Sequence, residues 1–347
     1  MIRVLIAEDS ITCLGLLTEI LNTDAGLSVI GHAADGAQAV KMTQELRPDV
    51  IVMDVHMPVM DGFEATRRIM VESPTPIVIV SATVNVKEVA VSMHALRVGA
   101  LALLPKPALG DPSDFVDRAR HFTSSIRAMA AVRVVRRWGQ KTSTPPMAAP
   151  SGVAPISIIA IAASTGGPGA IYRVLSELPS DIAVPIMIVQ HIATGFVEGL
   201  ANWLDSASQL QVKVAAHGER MQAGFAYVAP DECHLGLAEN GTIDISHAPP
   251  IGGFRPSATH MFTSVARKHG RGAAAVVLTG MGDDGLPGLR AVRAAGGCIF
   301  AQDEETSVVF GMPGAAVAAG LADATLPLDL MAPRLKRLLA ESHGKAA

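Results

Sequence analysis

The sequence contains few cysteines, few aromatic residues and little charge. Of its 347 residues, 3 are cysteines, 4% are aromatic and 17% are charged. The cysteines (Cys13, Cys233 and Cys298) lie far apart, which excludes a disulfide framework and a cysteine-based zinc site. We therefore expect a protein of a reducing compartment, the cytoplasm.

Long hydrophobic runs are absent as well. No apolar segment approaches ~18 residues without a proline, glycine or charged residue, so we expect no membrane insertion. The N-terminus reaches Glu8 and Asp9 after a few apolar residues, which excludes a secretory signal. The 28 basic and 32 acidic side chains give a net charge of −4, which argues against nucleic-acid binding.

Apolar residues, mostly alanine, valine, isoleucine and leucine, make up 49% of the chain and exclude disorder. At ~100–200 residues per domain, the length predicts two domains. The net charge is −5 over residues 1–125, +5 over 126–150 and −4 over the remainder. The basic stretch runs into a proline-rich sequence that suits neither a helix nor a sheet. We therefore predict a first domain over 1–127, a basic linker over 128–152 and a second domain over 153–347.

Short apolar strands alternate with amphipathic segments in the first domain. Five such βα units predict an α/β fold with a doubly wound parallel sheet, in which functional residues gather at the carboxyl ends of the strands. The predicted strands are Ile2–Ala7, Leu27–Ala33, Val50–Met53, Ile77–Val80 and Leu101–Leu104. The predicted helices are Ser10–Asn22, Gly36–Leu46, Gly62–Val71, Val86–Val98 and one that begins at Pro112.

The pattern of the second domain also predicts an α/β fold. Continuous apolar runs predict the strands of a doubly wound, mainly parallel sheet at Ile156–Ala163, Val184–Val189, Ala273–Leu278 and Gly297–Ala301. Asn240 and Gly241 separate two alternating runs, which predicts a β-hairpin between Leu235–Ala238 and Thr242–Ser246. The second domain therefore combines a parallel sheet with a small antiparallel element.

Polar side chains follow the strands of the first domain: Glu8 and Asp9 the first, Asp54 the third, Ser81 the fourth and Lys106 the fifth. Three carboxylates at one sheet edge repel each other unless a hard divalent cation such as Mg²⁺ lies among them. A lysine and a hydroxyl at the same edge suit phosphoryl oxygens. We predict that Asp54 accepts a phosphoryl group, Glu8 and Asp9 bind the metal, and Ser81 and Lys106 bind the phosphoryl group.

These residues lie in the segments Val-Leu-Ile-Ala-Glu-Asp-Ser10, Met53-Asp54-Val-His-Met-Pro58, Met60-Asp61-Gly62 and Lys106-Pro107. With them the sequence resembles a response-regulator receiver domain over nearly all of residues 1–125. The resemblance implies that Mg²⁺ supports phosphorylation of Asp54, and that the backbone carbonyl of His56 completes the metal shell. Leu103 departs from the family pattern, which usually has an aromatic switch residue at that position.

In the second domain, Ser164 follows an apolar strand and precedes Thr165-Gly166-Gly167 and a helical segment. This local pattern fits an activated serine or a glycine-rich cradle for a phosphate, and by itself favours neither. Two other strand ends carry His191 and Asp284. A serine, a histidine and an aspartate at three strand ends suit a nucleophile, a general base and the residue that orients the base.

The second domain resembles the catalytic domain of the chemotaxis protein-glutamate methylesterases from about Ile156 to the C-terminus. The resemblance implies a catalytic triad of Ser164, His191 and Asp284, with Thr165 and Met281 helping to form the oxyanion site. The matching motifs are Ala163-Ser-Thr-Gly-Gly-Pro168, Gln190-His191, Tyr227-Val-Ala-Pro230, His234-Leu235, Arg255-Pro-Ser257, Leu278-Thr-Gly-Met-Gly-Asp-Asp-Gly285, Ala301-Gln-Asp303 and Gly311-Met-Pro313. The departures are Ala162 and Asp231, each for a glycine, Thr259 for an aspartate and Gly314 for an arginine.

The resemblance also implies a function. A protein of this family hydrolyses glutamate γ-methyl esters on chemotaxis receptors through a serine acyl-enzyme, releases methanol, and deamidates selected receptor glutamines. A chemotaxis histidine kinase phosphorylates the receiver and thereby activates the esterase. We expect Mg²⁺ as the cofactor of the receiver, no cofactor for the ester chemistry, and a monomer that binds neither nucleic acid nor membrane.

Three other functions are compatible with a receiver joined to a second domain. A catalytically inactive adaptor is disfavoured by the complete Ser164, His191 and Asp284 set. A transcriptional regulator is disfavoured because nothing after the linker resembles a helix-turn-helix and the second domain is acidic. An esterase of small molecules remains as an alternative, and a shallow, open active site would favour a protein substrate over it.

Overall fold

The structure is a computed structural model that describes residues 1–81, 100–106, 112–132 and 155–343. The chain divides into two compact units, Met1–Thr142 and Ser143–Ala347. The predicted helix at Val86–Val98 lies outside the described residues, as does most of the predicted linker. No helix in the described ranges is long and apolar enough to cross a membrane.

Unit 1 is built on a parallel five-stranded sheet with the order β2-β1-β3-β4-β5. Numbered over the described residues, its strands are β1 (Ile2–Ala7), β2 (Leu27–Ala33), β3 (Val50–Asp54), β4 (Ile77–Ser81) and β5 (Ala102–Pro105). Its helices are α1 (Ile11–Asn22), α2 (Gly36–Leu46), α3 (Gly62–Glu72) and α4 (Pro112–Ala130). The predicted α/β fold with a parallel sheet is confirmed.

Side-chain caps explain where the helices of unit 1 begin. Ser10, Asp35 and Asp61 each precede a helix and accept a hydrogen bond from a backbone N–H in its first turn. Such caps satisfy donors that the first helical turn leaves unpaired. Each cap ends a short loop after a strand, so the carboxyl ends of the strands and the starts of the helices share one edge of the sheet.

Unit 2 is built on a parallel seven-stranded sheet with the order β14-β13-β12-β6-β7-β9-β8. Its strands are β6 (Ile158–Ala163), β7 (Ile186–Gln190), β8 (Gln211–Val214), β9 (Phe225–Val228), β12 (Ala273–Val277), β13 (Cys298–Gln302) and β14 (Ala324–Leu326). The predicted hairpin forms as β10 (His234–Leu237) and β11 (Ile243–Ser246), paired antiparallel.

The helices of unit 2 are α5 (Gly167–Ser176), α6 (Val197–Ala207), α7 (Ala258–His269), α8 (Leu286–Ala294), α9 (Met312–Ala318) and α10 (Leu328–His343), with a 3₁₀ turn at Gly270–Gly272. One buried apolar cluster joins the central strands to α7 and α8, and includes Ile158, Val277, Phe262, Val265 and Leu289. This packing fixes the N-terminus of α7 against the sheet.

The central strand of unit 2 is β6, with β12 and β7 as its neighbours. Its last residues pair in register with both, since Ala162 lies opposite Val277 and Ala163 lies opposite Gln190. The backbone that follows each of these three strands therefore emerges at one edge of the sheet. Ser164, His191 and the loop from Thr279 to Gly285 all start at that edge.

Candidate functional site

Three carboxylates meet at the carboxyl edge of the sheet in unit 1. Glu8, Asp9 and Asp54 each place a carboxylate oxygen within 4.8 Å of the others. Glu8 and Asp54 are buried, and Asp9 is exposed. Oxygen ligands in this number and spacing suit a hard divalent cation such as Mg²⁺, so the residues present fit the cofactor expected from the sequence.

Lys106 is the positive charge at this edge. Its Nζ lies 2.7 Å from a carboxylate oxygen of Glu8 and 3.0 Å from one of Asp54. Burial raises the pKa of Glu8, and the hydrogen bond from Lys106 only partly offsets this. Burial opposes the charged form of Lys106, but hydrogen bonds to Glu8 and Asp54 outweigh it and raise the pKa of the ammonium group.

The other residues singled out in the first domain lie in or just after the strands β3, β4 and β5. Ser81 is buried at the end of β4, and its carbonyl accepts a hydrogen bond from the backbone N–H of Lys106. His56 is exposed in the loop after β3. Leu103 is buried within β5, paired with Ile79.

In unit 2, the turn after β6 holds Ser164 by its backbone from both sides. Its N–H donates to the carbonyl of Thr279 at 3.0 Å, and its carbonyl accepts from the N–H of Gly167 at 2.8 Å. Gly280 packs so closely that a β-carbon there would lie 2.7 Å from Cβ of Ser164. A side chain at 280 would therefore displace the serine.

His191 is joined to Asp284 by a hydrogen bond of 2.9 Å between Nε2 and Oδ2. The two side chains are 10% and 3% exposed. Nε2 must carry the proton of this bond because an ionised carboxylate only accepts. The other ring nitrogen, Nδ1, is buried and has no hydrogen-bond partner in the part of the chain that the structure describes.

Asp284 lies at the N-terminus of α7 and accepts hydrogen bonds from that helix. Its donors there are the hydroxyls of Ser257 and Thr259 and the backbone N–H groups of Ala258 and Thr259. The N–H of Gly285 also donates to it. Burial alone would raise the pKa of Asp284, but the bonds from His191, Ser257 and Ala258 lower it to about 2. The aspartate is thus a stable anion beside the imidazole.

Thr165 and Met281, expected at the oxyanion site, lie in the loops that follow β6 and β12. Thr165 follows Ser164 directly, and its carbonyl accepts from the hydroxyl of Thr279 at 2.9 Å. Met281 follows Gly280, the glycine in contact with Ser164. In the described residues, the backbone N–H groups of Thr165 and Met281 donate no hydrogen bond to a backbone carbonyl beyond those within helices and strands.

Phe254 was not singled out from the sequence, and Ser257 was noted only within the motif Arg255-Pro-Ser257. Phe254 stacks on the imidazole of His191, with ring centroids 4.4 Å apart and planes 13° from parallel. Ser257 caps α7 and donates to Asp284. A serine before an amphipathic run signals a helix cap, but no sequence pattern shows which carboxylate its hydroxyl reaches.

Comparisons with known proteins cover both units. A sequence model of the CheB methylesterase family matches residues 159–335, and one of the response regulator receiver domain matches residues 4–120. A protein-glutamate methylesterase/protein-glutamine glutaminase of Myxococcus xanthus is 51% identical, over 99% of this chain and 98% of that protein. A counterpart from Anaeromyxobacter dehalogenans is 49% identical, over 96% of this chain and 98% of its own length.

Among solved structures, unit 2 is similar to the methylesterase catalytic domain of Thermotoga maritima CheB. The TM-score is 0.51 and the identity 40%, and the match covers 53% of this chain and 98% of that domain.

Proposed function

We propose that this chain, which belongs to the CheB methylesterase family, is a protein-glutamate methylesterase and protein-glutamine glutaminase that phosphorylation of its receiver domain controls. The observation that carries the ester chemistry is the His191–Asp284 pair at the strand ends on either side of Ser164. The proposed substrate is the γ-methyl ester of a receptor glutamate.

In the proposed reaction, Ser164 Oγ attacks the ester carbonyl and His191 accepts the serine proton. Since Nε2 of His191 donates to Asp284, the proton goes to Nδ1. The negative charge that develops on the carbonyl oxygen is stabilised by the N–H groups of Thr165 and Met281. The imidazolium returns its proton to the departing methanol, which leaves an acyl-enzyme on Ser164.

A water molecule then completes the cycle. His191 removes a proton from the water as its oxygen attacks the acyl carbonyl. The bond to Ser164 Oγ then breaks, His191 returns the proton to Oγ, and the products are a free glutamate and Ser164. For a glutamine substrate the first step releases ammonia instead of methanol. Asp284, ionised well below neutral pH, orients the imidazole and stabilises its charged form in both steps.

For the receiver, we propose Asp54 as the phosphate acceptor. Glu8, Asp9, Asp54 and the His56 backbone carbonyl would hold Mg²⁺, which neutralises charge on the transferring phosphoryl group. Lys106 and Ser81 would bind the phosphoryl oxygens of phosphorylated Asp54. The close contact of Lys106 with both Glu8 and Asp54 supports this assignment.

The proposed partners follow from the same family. Methyl-accepting chemotaxis receptors are the substrate, and a chemotaxis histidine kinase is the phosphate donor. We place the activity in the cytoplasm, in a monomer, with no cofactor for the ester hydrolysis itself.

The test uses purified full-length chain and membranes whose receptors carry labelled methyl esters. Released methanol is counted with and without Mg²⁺ and a small-molecule phosphate donor, in wild type, Ser164→Ala and Asp54→Ala. We expect release that requires Ser164, and stimulation by the phosphate donor that requires Asp54. Absence of release under every condition, with Asp54 still accepting phosphate, would overturn the receptor-esterase proposal.

A further inference from the structure

Gln190 is a buried polar residue between the nucleophile and the base. It ends β7, directly before His191, and is 2% exposed. Its side-chain Nε2 donates two hydrogen bonds, one to the carbonyl of Ser164 and one to the carbonyl of His191, each 2.8 Å long. One amide group therefore joins the backbones of the two residues that exchange a proton in the proposed reaction.

We propose that Gln190 is a positioning residue that sets the distance between Ser164 and His191. The inference rests on the proposed function, since it assigns these two residues as nucleophile and base. Proton transfer between them requires separations near those of a hydrogen bond. A displacement of the reacting atoms by ~1 Å costs about 10²-fold in rate.

The side-chain amide is chemically specific for this role. A primary amide offers two N–H donors from one nitrogen, and both are used here on carbonyl acceptors. A glutamate of equal size offers no donor when ionised, and its charge would repel both carbonyls. A methionine fills the space but has no N–H, so the carbonyls of Ser164 and His191 each lose the hydrogen bond from this side chain.

The surroundings are shaped around the amide. A β-carbon at Gly167 would lie 2.0 Å from Oε1 of Gln190, so the first turn of α5 approaches the side chain as only a glycine allows. The other side of the Ser164 peptide is held by Thr279, which accepts from its N–H. The serine is thus fixed from β12 by Thr279 and from β7 by Gln190, and of these two residues Gln190 also donates to the carbonyl of the base, His191.

The experiment measures two rates and the stability of the full-length chain for Gln190→Met and Gln190→Glu. One rate is methanol release from methylated receptor membranes, resolved into kcat and KM. The other is covalent labelling of Ser164 by a small fluorophosphonate. This reaction requires Ser164 and His191 to be correctly positioned relative to each other, but it requires no receptor. Val292→Ala is the control, because Val292 is a fully buried residue of α8, an element that carries none of Ser164, Gln190 and His191.

We expect both variants to lose about 10²-fold in kcat and in labelling rate, with KM within twofold of wild type. Val292→Ala is expected to lower the melting temperature and leave both rates near wild type. If the variants at 190 label Ser164 at the wild-type rate and only melt earlier, Gln190 is structural and the proposal is overturned. If labelling depends on Gln190 but neither the wild type nor any variant releases methanol, the positioning role of Gln190 is supported and the proposed receptor substrate is wrong.

Discussion

The two units place their candidate functional residues at the same kind of sheet edge and stabilise them in opposite ways. In each unit, polar side chains lie at the carboxyl ends of neighbouring parallel strands, the edge of a doubly wound sheet at which ligands bind. In unit 1 the carboxylates of Glu8, Asp9 and Asp54 crowd together with one lysine among them. In unit 2 a single carboxylate, Asp284, is surrounded by hydrogen-bond donors.

This difference predicts how each site depends on solution conditions. Like charges held within 4.8 Å favour binding of a divalent cation, since the cation removes their repulsion. A carboxylate that accepts several hydrogen bonds is stable as an anion without one. We expect the chemistry of unit 1 to require Mg²⁺ and that of unit 2 to be independent of it.

The largest expected effect is that of Asp284→Asn. An asparagine cannot stabilise the imidazolium, and its amide favours the wrong tautomer of His191, so kcat should fall by about 10⁴-fold. The fluorophosphonate labelling of Ser164 should fall with it, while phosphorylation of Asp54 is unchanged. Asp283→Asn is the matched control, since Asp283 is the exposed neighbour in the same loop. Equal losses in both variants would show that the loop matters rather than the carboxylate.

Lys106→Met should have the next largest effect, and only on unit 1. Removing the ammonium group leaves Glu8 and Asp54 buried and uncompensated, which should cost about 3–5 kcal/mol of unfolding free energy without Mg²⁺. Mg²⁺ should restore more stability to this variant than to wild type, measured by calorimetry. Lys213→Met removes an ion pair with Glu219 in which the lysine is 44% exposed. It should change stability by less than about 1 kcal/mol, with or without Mg²⁺. An equal Mg²⁺ response in wild type and Lys106→Met would contradict the account of unit 1.

A smaller effect is expected from Phe254→Ala. The ring stacks on His191, and aromatic stacking contributes about 0.5–1.5 kcal/mol, so losing the part that favours the imidazolium in the transition state should lower kcat by up to about 10-fold. Phe225→Ala is the comparison, because Phe225 stacks on Tyr227, on a strand that carries none of the proposed catalytic residues. The two variants should lose similar stability but differ in kcat. An equal fall in kcat for Phe225→Ala would contradict a specific role of the Phe254 ring at His191.

The sequence predicts the strand ends well and the contacts between them poorly. Buried parallel strands are continuous apolar runs, so β1, β6 and β12 and the residues that follow them can be read directly. The short strands β8, β9 and β14 were not predicted, because runs of three or four residues are too short to form a distinct pattern.

The donors to Asp284 could not be predicted for a different reason. Ser257 and Thr259 lie 27 and 25 residues before Asp284 in the chain, at the start of α7. Their distance from Asp284 therefore depends on how α7 packs against the sheet. Thr259 was noted only because it departs from a family motif. Its hydroxyl donates to Asp284 at 2.9 Å and accepts from the N–H of Gly285 at 2.9 Å. Long-range packing, rather than local pattern, decides such contacts.

The last and mildest change, Thr259→Val, tests how far a single hydroxyl donor offsets the burial that opposes ionisation of Asp284. Valine keeps the shape and the backbone N–H but removes one hydroxyl donor, which should cost about 1 kcal/mol at neutral pH. The folded pKa of Asp284, about 2, lies below its ordinary value of 3.8. Its stabilising effect is therefore present above pH 3.8 and is lost as the pH falls towards 2.

The variant should raise the folded pKa towards the ordinary value, so the stability difference from wild type should shrink as the pH falls through this window. Urea unfolding over a pH series measures it. Thr263→Val is the control, since its hydroxyl bonds to the backbone carbonyl of Thr259 within the same helix and should give a pH-independent difference. A difference for Thr259→Val that stays constant from neutral pH to about pH 2 would mean that the hydroxyl does not act through the charge of Asp284. The remaining donors would then be sufficient to offset burial and to keep the Asp284 carboxylate of unit 2 ionised.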